Sequence, residues 1–210
     1  MKKSTLILII LLTVSFIQAQ QKAVTEKGKE VILYDDGTWK YQNGDQLSEK
    51  EIKTNTNKFV KDEKSTFLLK SDKLNIGFYL NPQKWSFKKA IDNPDAEYEL
   101  QFKDGDLYGM IITEKIEVPL ETLKSIAFEN GKSAAPDLKI VKEEYRTVND
   151  KKVLLLQMKG TIQGIKFSFY GYYFSNTNGT VQFVTYSSQK LLETYIPEIE
   201  KLLNGIVELN

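Results

Sequence analysis

Phe167-Ser168-Phe169-Tyr170-Gly171-Tyr172-Tyr173-Phe174 is an aromatic-rich run in the second half of this 210-residue chain. A strand with one face in water alternates apolar and polar residues, whereas this run carries rings at both its even and its odd positions. It therefore predicts a central strand whose sheet is covered by helices or loops on each face.

The segments around this run predict further strands joined by tight turns. With approximate bounds, these strands are Thr66–Leu69, Leu74–Leu80, Glu97–Phe102, Leu107–Thr113, Lys139–Val148, Lys152–Lys159, Ile165–Phe174 and Thr180–Tyr186. Turn-forming residues separate the last four strands: Asn149-Asp150, Gly164 and Asn178-Gly179. Because hairpins join antiparallel neighbours, we expect a mostly antiparallel sheet.

Two amphipathic segments predict helices. The first has Pro119 in its first turn and is expected to end near Gly131. Its apolar face carries Leu120, Leu123 and Ala127. The second contains Pro197, which should kink it or mark the start of its regular part. Its apolar positions are Leu192, Tyr195, Ile199, Leu202 or Leu203, and Ile206. The chain is thus predicted to form an α+β, three-layer sandwich with helices flanking a central sheet.

The first 19 residues are typical of a secretory signal peptide. Lys2 and Lys3 precede an apolar run from Leu6 to Leu12, and Ala19 is a small residue suited to cleavage, with Gln20 as an alternative last residue. The apolar run is shorter than the roughly 20 residues that a spanning helix needs. No cysteine follows it to carry a lipid anchor. We expect a periplasmic or secreted mature chain without a membrane span.

Three further regions follow the leader. Residues 20–41 contain a predicted β-hairpin, with strands Val31–Tyr34 and Thr38–Tyr41 around the turn Asp35-Asp36-Gly37. Residues 42–64 lack apolar periodicity and predict a polar linker, with one helical turn near Ser48–Lys53. Residues 65–210 hold the α+β domain.

Two short motifs and the order of the elements resemble the PsbP-like (Mog1/PsbP) fold. One motif is Phe78, Pro82 and Trp85 after the early strands, and the other is the closing segment Tyr195–Ile206. The resemblance implies an assembly or binding module without chemistry of its own, and no family site can be assigned to a residue here. Separately, Val31–Tyr41 looks like an Asp-Gly-Thr-Trp hairpin found near the mature start of exported bacterial proteins.

Composition excludes several kinds of chemistry. The chain has no histidine and no cysteine, which removes Ser-His-Asp and Cys-His nucleophiles and imidazole or thiolate metal sites. Removing Lys2 and Lys3 from the 29 basic residues leaves 27 against 28 acidic ones, and Arg146 is the only arginine. A near-neutral chain with one arginine is not expected to bind nucleic acid. We expect no cofactor, no catalytic residue and no metal ligand.

The weaker chemical patterns have simple structural explanations. Ser-x-x-Lys occurs at Ser86/Lys89 and Ser187/Lys190 without the partner motifs of a penicillin-recognising enzyme. Glu143 and Glu144 are adjacent on a predicted strand, so they should point to opposite faces.

Aromatic residues, 11% of the chain, suggest a binding surface. The candidates are Tyr34, Trp39 and Tyr41 of the hairpin, together with Trp85. Alternatively, the three hairpin residues clamp the hairpin to the main sheet, and Trp85 is a core or lid residue. The leading hypothesis is an exported non-catalytic module that binds a protein partner or a small apolar ligand. The alternatives are a carboxylate-dependent hydrolase acting on envelope glycans, and a structural role in the envelope. An enclosed cavity would favour a ligand, and an exposed apolar patch would favour a partner.

Overall fold

The computed structural model describes residues 21–24, 30–34, 39–41 and 51–209. The predicted signal peptide, the turn Asp35-Asp36-Gly37 and residues 42–50 of the predicted linker lie outside the described residues. The chain forms two compact units. The smaller contains the described residues before 42, and the larger contains residues 51–209.

The N-terminal unit is a three-stranded antiparallel sheet. Its strands are β1 (Gln21–Val24), β2 (Glu30–Leu33) and β3 (Trp39–Tyr41). β2 pairs with β3 so that Val31 lies opposite Tyr41, which is the pairing that a hairpin over residues 31–41 requires. β1 pairs with the other edge of β2 and was not predicted, because four residues with two polar ones show no usable alternation.

The larger unit is built on an eight-stranded sheet. In spatial order its strands are β4 (Thr54–Phe59), β10 (Lys139–Val148), β11 (Lys151–Ile162), β12 (Ile165–Asn176), β13 (Gly179–Ser188), β9 (Tyr108–Glu114), β8 (Tyr98–Phe102) and β7 (Trp85–Lys89). Its neighbouring strands pair antiparallel, except for β4, which pairs parallel with β10. The sheet is therefore mixed, and the predicted α+β class with a mostly antiparallel sheet is confirmed.

Two helices and a small sheet accompany the large one. The helices are α1 (Leu120–Ala134) and α2 (Gln189–Leu203). The small sheet has the order β14 (Ile206–Glu208), β6 (Ile76–Leu80) and β5 (Phe67–Lys70). Phe78 on β6 contacts Phe183 on β13 with ring centroids 5.1 Å apart, so the small sheet packs on the face that α2 also covers.

The aromatic run Phe167–Phe174 lies on β12, the fourth of the eight strands, so its prediction as a central strand is confirmed. Tyr170 and Tyr172 join the core cluster that contains Leu192 and Ile199 of α2. Tyr173 joins a second cluster with Leu123 and Ala127 of α1. Since odd and even positions of a strand point to opposite faces, the two helices contact opposite faces of the sheet.

The predicted polar linker is wrong over residues 54–59, which form β4. Its sequence Thr-Asn-Thr-Asn-Lys-Phe shows no apolar alternation. An edge strand does not need this pattern, since it is held by backbone hydrogen bonds to one neighbour, here β10. Phe59 adds a side-chain contact, since the Arg146 guanidinium carbon lies 4.4 Å from the centre of its ring. Of the predicted helical turn at 48–53, only residues 51–53 are described, and they are irregular.

Two predicted helix ends are also wrong. α1 continues past Gly131 to Ala134, and this glycine packs so closely that a Cβ there would lie 2.6 Å from a methyl carbon of Leu138. α2 contains Pro197 and ends at Leu203, so Ile206 belongs to β14, opposite Phe78. β7 was not predicted, because four of its five residues are exposed and carry no alternating pattern.

Candidate functional site

One face of β9 is open to solvent. Gly109, Ile111 and Thr113 are buried, whereas the alternating residues Met110 and Ile112 are half-buried and Tyr108 is 37% exposed. The exposed side belongs to the same face of the sheet as α1, which lies over β11 and β12. We call the surface formed by Tyr108, Met110, Ile112, Tyr186, Glu99 and Gln101 the open face.

An aromatic row crosses the open face. Tyr186 on β13 lies opposite both Tyr108 on β9 and Phe169 on β12 in the strand registers. The rings of Tyr108 and Tyr186 are stacked, with centroids 5.7 Å apart and planes at 25°, and Phe169 lies 6.1 Å from Tyr186. Burial raises the pKa of the Tyr186 hydroxyl, with Glu99 adding to the effect, so it is a neutral hydrogen-bonding group. Rings held by neighbouring rings lose little freedom when a partner binds, which suits them as anchors.

Polar groups border the row on the side of β7 and β8. Gln101 is exposed and pairs in register with Tyr108. Beyond it, Lys88 and Glu99 form an ion pair with a 2.9 Å Nζ–Oε2 distance. The surface therefore combines an apolar centre with a hydrogen-bonding rim, which is the anatomy of a protein interface.

The opposite face holds a buried polar cluster around Arg146, which is 3% exposed. Arg146 Nε donates to Glu144 at 2.6 Å, and its Nη1 donates to Glu200 and to the Tyr172 hydroxyl, each at 2.9 Å. The Tyr170 hydroxyl also donates to Glu200, at 2.6 Å. Because Glu200 lies on α2 and the other groups lie on β10 and β12, the cluster ties this helix to the sheet.

The cluster is not arranged for acid–base catalysis. Burial opposes ionisation of Glu144, but the hydrogen bond and charge of Arg146 outweigh it and hold the pKa of that carboxyl below its usual range. Burial raises the pKa of Tyr172 to about 12. Glu144 is therefore an ionised carboxylate bound to a cation, whereas a general acid needs a raised carboxyl pKa.

Other buried carboxylates are also engaged. Glu97 on the turn before β8 accepts hydrogen bonds from the Ser71 hydroxyl at 2.7 Å, from the Asp72 N–H at 2.5 Å, and from the Thr113 hydroxyl. Glu143 forms an ion pair with Lys124 of α1, on the face opposite to Glu144, as the adjacent positions predict. Within residues 51–209 and the described N-terminal segments, no group of three acidic residues could hold a metal ion.

A cleft of about 440 Å³ lies beside the turn between β6 and β7. It is open to solvent, and it is lined by Lys64, Thr66, Asn81, Pro82, Gln83 and Lys84. Such an open cleft differs from the enclosed apolar pocket that a small apolar ligand requires.

The structure separates the four candidate residues named from the sequence. Trp85 is 3% exposed and packs on Phe102, with ring centroids 5.2 Å apart, so it is a core residue and not an exposed binding residue. Tyr34 follows β2 and is half-buried in the N-terminal unit. Trp39 and Tyr41 lie on β3, and their side chains are outside what the structure describes. A binding surface on the hairpin stays a prediction.

Sequence reasoning did not identify the open face. Tyr108, Tyr186 and Phe169 belong to three separate strands, and only the register brings them into one row. The detectable signal was the alternation in Tyr108–Glu114, where residues that face the solvent are as apolar as those that face the core.

No family model matches the chain, and no curated protein matches it. Among solved structures, it is similar to cyanobacterial PsbP (CyanoP) from Synechocystis sp. PCC 6803, with a TM-score of 0.51 and 11% identity over 70% of this chain and 94% of that one. It is also similar to a protein of unknown function, PA94, from Pseudomonas aeruginosa, with a TM-score of 0.45 and 11% identity over 69% of this chain and 97% of that one. LpqN, involved in cell envelope biogenesis of Mycobacterium tuberculosis, has a TM-score of 0.43 and 10% identity over 64% of this chain and 83% of its own.

At these identities the likeness concerns the fold alone. The similarity to CyanoP shows that the chain has a PsbP-like fold, as the two sequence motifs and the order of elements indicate. Among the described helices, neither is long and apolar enough to cross a bilayer.

Proposed function

We propose that the protein is an exported, non-catalytic module that binds a protein partner through the open face. The observation that carries this proposal is the solvent-facing aromatic row, in which Tyr108 is 37% exposed and Tyr186 is half-buried, beside half-buried Met110. Tyrosine and methionine are enriched at protein interfaces, and a few aromatic anchors supply most of the binding free energy. The fold supports the proposal only in part, because PsbP-like folds do not fix a function.

The open face also favours a partner over a small apolar ligand. A ligand of that kind is bound in an enclosed apolar pocket, whereas the cleft near Asn81 is open to solvent. In this proposal the helix-covered central sheet is a three-layer sandwich that acts as a rigid support for the exposed row. The signal-peptide pattern in residues 1–19 supports export of the module to the periplasm or out of the cell.

The alternative, a hydrolase that uses carboxylates, is weaker. The carboxylates of buried Glu97 and of half-buried Glu143 and Glu144 each bind a cation or several donors. A hydrolase would need one such group near a groove with its pKa raised.

Site-specific photo-crosslinking tests the proposed function. A photoreactive residue at exposed Gln101 is compared in three backgrounds: wild type, Tyr108→Ala, and Phe87→Ala, produced in the native host. Phe87 is the matched control, because it is 39% exposed, close to the 37% of Tyr108, but lies on the other face of the sheet.

We expect one discrete protein adduct that Tyr108→Ala reduces about tenfold and Phe87→Ala leaves unchanged. No adduct in any background, or an adduct equally strong in all three, would contradict the proposal.

A further inference from the structure

We infer that the hairpin between β11 and β12 inserts its end into the surface of an anionic lipid bilayer. We call this end, Thr161–Lys166, the β11–β12 tip. Its residues are not part of the open face, so the inference goes beyond the proposed function. Three observations support it: the tip projects from the sheet, its apolar side chain is exposed, and unpaired lysines surround it.

The β11–β12 tip projects beyond the neighbouring strands. β10 pairs with β11 only as far as Lys159, and β13 pairs with β12 only as far as Phe167. Past these positions β11 and β12 pair with each other, up to Ile162 opposite Ile165. At about 3.3 Å per residue, the tip extends roughly 10 Å past Phe167. A Cβ placed on Gly164 would have none of the described atoms within 4 Å, so the end of the hairpin is open to solvent.

Side chains from two neighbouring segments hold the base of the hairpin. Asp137 accepts hydrogen bonds from the backbone N–H and the hydroxyl of Thr161, at 2.7 and 2.8 Å, so this carboxylate is held at the base. Gln189 of α2 donates to the backbone oxygens of Gly160 and Phe167, at 3.3 and 3.1 Å. A tip whose base is already ordered loses little conformational freedom when it binds.

The exposed apolar side chain of the tip is Ile165, which is 55% exposed. It lies opposite Ile162, which packs against the core cluster that Phe128 of α1 also joins. One exposed side chain at a projecting end offers too little area for a stable protein interface, which buries about 800 Å² on each partner. An anchor in a bilayer surface needs only apolar side chains that reach the boundary between headgroups and acyl chains.

Unpaired lysines surround the tip. Lys166 belongs to it, Lys139 lies opposite Lys159 at the start of β10, and Lys190 is the second residue of α2. Within the described part of the chain these three lysines form no ion pair, whereas Lys159 is paired with Glu193 at 2.9 Å. Each basic side chain near an anionic bilayer adds about fivefold to the affinity, so the three together favour such a surface.

The surroundings of other exposed isoleucines are different. Among the described residues, three isoleucines are more than half exposed: Ile91, Ile116 and Ile165. Ile91 is followed by Asp92, and Ile116 is followed by Glu117, so anionic headgroups would repel both sites. Of these three isoleucines, only Ile165 combines apolar exposure with neighbouring positive charge, which complements anionic lipid.

Vesicle binding tests the inference. The probes are vesicles of phosphatidylcholine with about 30 mol% phosphatidylglycerol, and vesicles of phosphatidylcholine alone. The protein is residues 20–210, the form expected after export, because the apolar leader would itself bind a bilayer. We expect binding to the anionic vesicles to be at least tenfold stronger than to the neutral ones, and to be lost in about 0.5 M salt. Ile165→Ser and Lys166→Glu should each weaken it at least fivefold.

Ile91→Ser and Lys58→Glu are the matched controls. Ile91 is 86% exposed, and exposed Lys58 lies opposite Thr147, near the end of β10 that is distant from the tip. Each control should change binding less than twofold. A tryptophan reports which part of the protein enters the bilayer: brominated acyl chains should quench Ile165→Trp much more than Ile91→Trp.

Four results would overturn the inference. Vesicle binding could be absent, or equal for neutral and anionic vesicles. Lys166→Glu could weaken binding no more than Lys58→Glu, which would indicate general charge attraction. A photoreactive residue at position 165 that captures a protein and no lipid would make a protein the occupant. None of these results alters Tyr108, so the crosslinking test of the proposed function stands apart.

Discussion

Replacement of Arg146 by methionine should strongly destabilise the larger unit. The change removes the guanidinium of a side chain that is 4% exposed. Glu200 loses the Arg146 cation, and Glu144 keeps only Lys142, whose Nζ lies 3.9 Å away. Removing one partner of a buried ion pair costs about 3–5 kcal/mol, a large part of the roughly 5–15 kcal/mol that stabilises a domain. With a urea m-value near 2 kcal/mol per molar, the unfolding midpoint should fall by roughly 2 M.

The matched control is Lys88→Met, which removes an ion pair of the same length from an exposed part of the surface. Lys88 Nζ lies 2.9 Å from Glu99, the same distance as Arg146 Nη1 from Glu200, but the lysine side chain is 66% exposed. Exposed pairs contribute little to stability, so this midpoint should hardly move. Urea unfolding in a Trp39→Phe background isolates the fluorescence of buried Trp85 as the reporter.

The effect of Arg146→Met should also depend on pH. In the wild type Arg146 lowers the pKa of the Glu144 carboxyl, so this contribution to stability is present near pH 7 and is lost as the pH falls through the folded-state pKa. In the variant, burial favours the protonated acid of Glu144, opposed only by the Asn55 hydrogen bond and by Lys142 at 3.9 Å. The difference in unfolding free energy between the wild type and Arg146→Met should therefore be larger at pH 7 than at pH 3. The reasoning would be refuted if the urea midpoint of Arg146→Met shifted as little as that of Lys88→Met. It would also be refuted if the difference in unfolding free energy between Arg146→Met and the wild type grew on acidification.

Three further outcomes are expected. Gly205→Ala should lower the melting temperature by several degrees, because the added Cβ would overlap the Tyr79 carbonyl oxygen. Gly164→Asn, in open space at φ +81°, should have little effect in the same thermal melt. The free energy of unfolding should fall as the pH rises from about 10 to about 12. Burial raises the pKa of Tyr172 from 10.0 to about 12, so this tyrosine ionises first in the unfolded chain. Urea unfolding at pH 9 and pH 11 should therefore show a smaller loss of stability in Tyr172→Phe than in the wild type. Glu97→Ala should destabilise by about 1–3 kcal/mol, since the Ser71 and Thr113 hydroxyls lose their acceptor, and hydrogen exchange at the Asp72 amide should accelerate.

The local sequence pattern predicted the centre of the large sheet well, and the edges poorly. The run Phe167–Phe174 is apolar on both faces because helices cover both, so its composition alone identified a central strand. β4 and β7 lie at the two edges, where one side of the strand has no neighbour in the sheet and most side chains are exposed. Such strands depend on backbone pairing with distant residues, which leaves no periodicity to read.

The candidate site depended on register more than on composition. Tyr108 and Tyr186 are 78 positions apart, and their stacking follows from the alignment of β9 with β13. Trp85 was a candidate on its residue type alone, but its ring is enclosed by the core. The hairpin aromatic residues were chosen by the same reasoning, and their role stays a prediction.

The pairing of β6 with β14 has a consequence for how the larger unit folds. Phe78 lies opposite Ile206, and in the large sheet Phe59 lies opposite Val148, so early strands pair with segments that emerge far later in synthesis. Closing such long loops carries an entropic penalty before any contact compensates for it, and topologies with this contact order fold slowly. The unit therefore cannot reach its native state until almost the whole polypeptide is available. In the exported protein that we propose, this delay would keep the chain unfolded during its translocation.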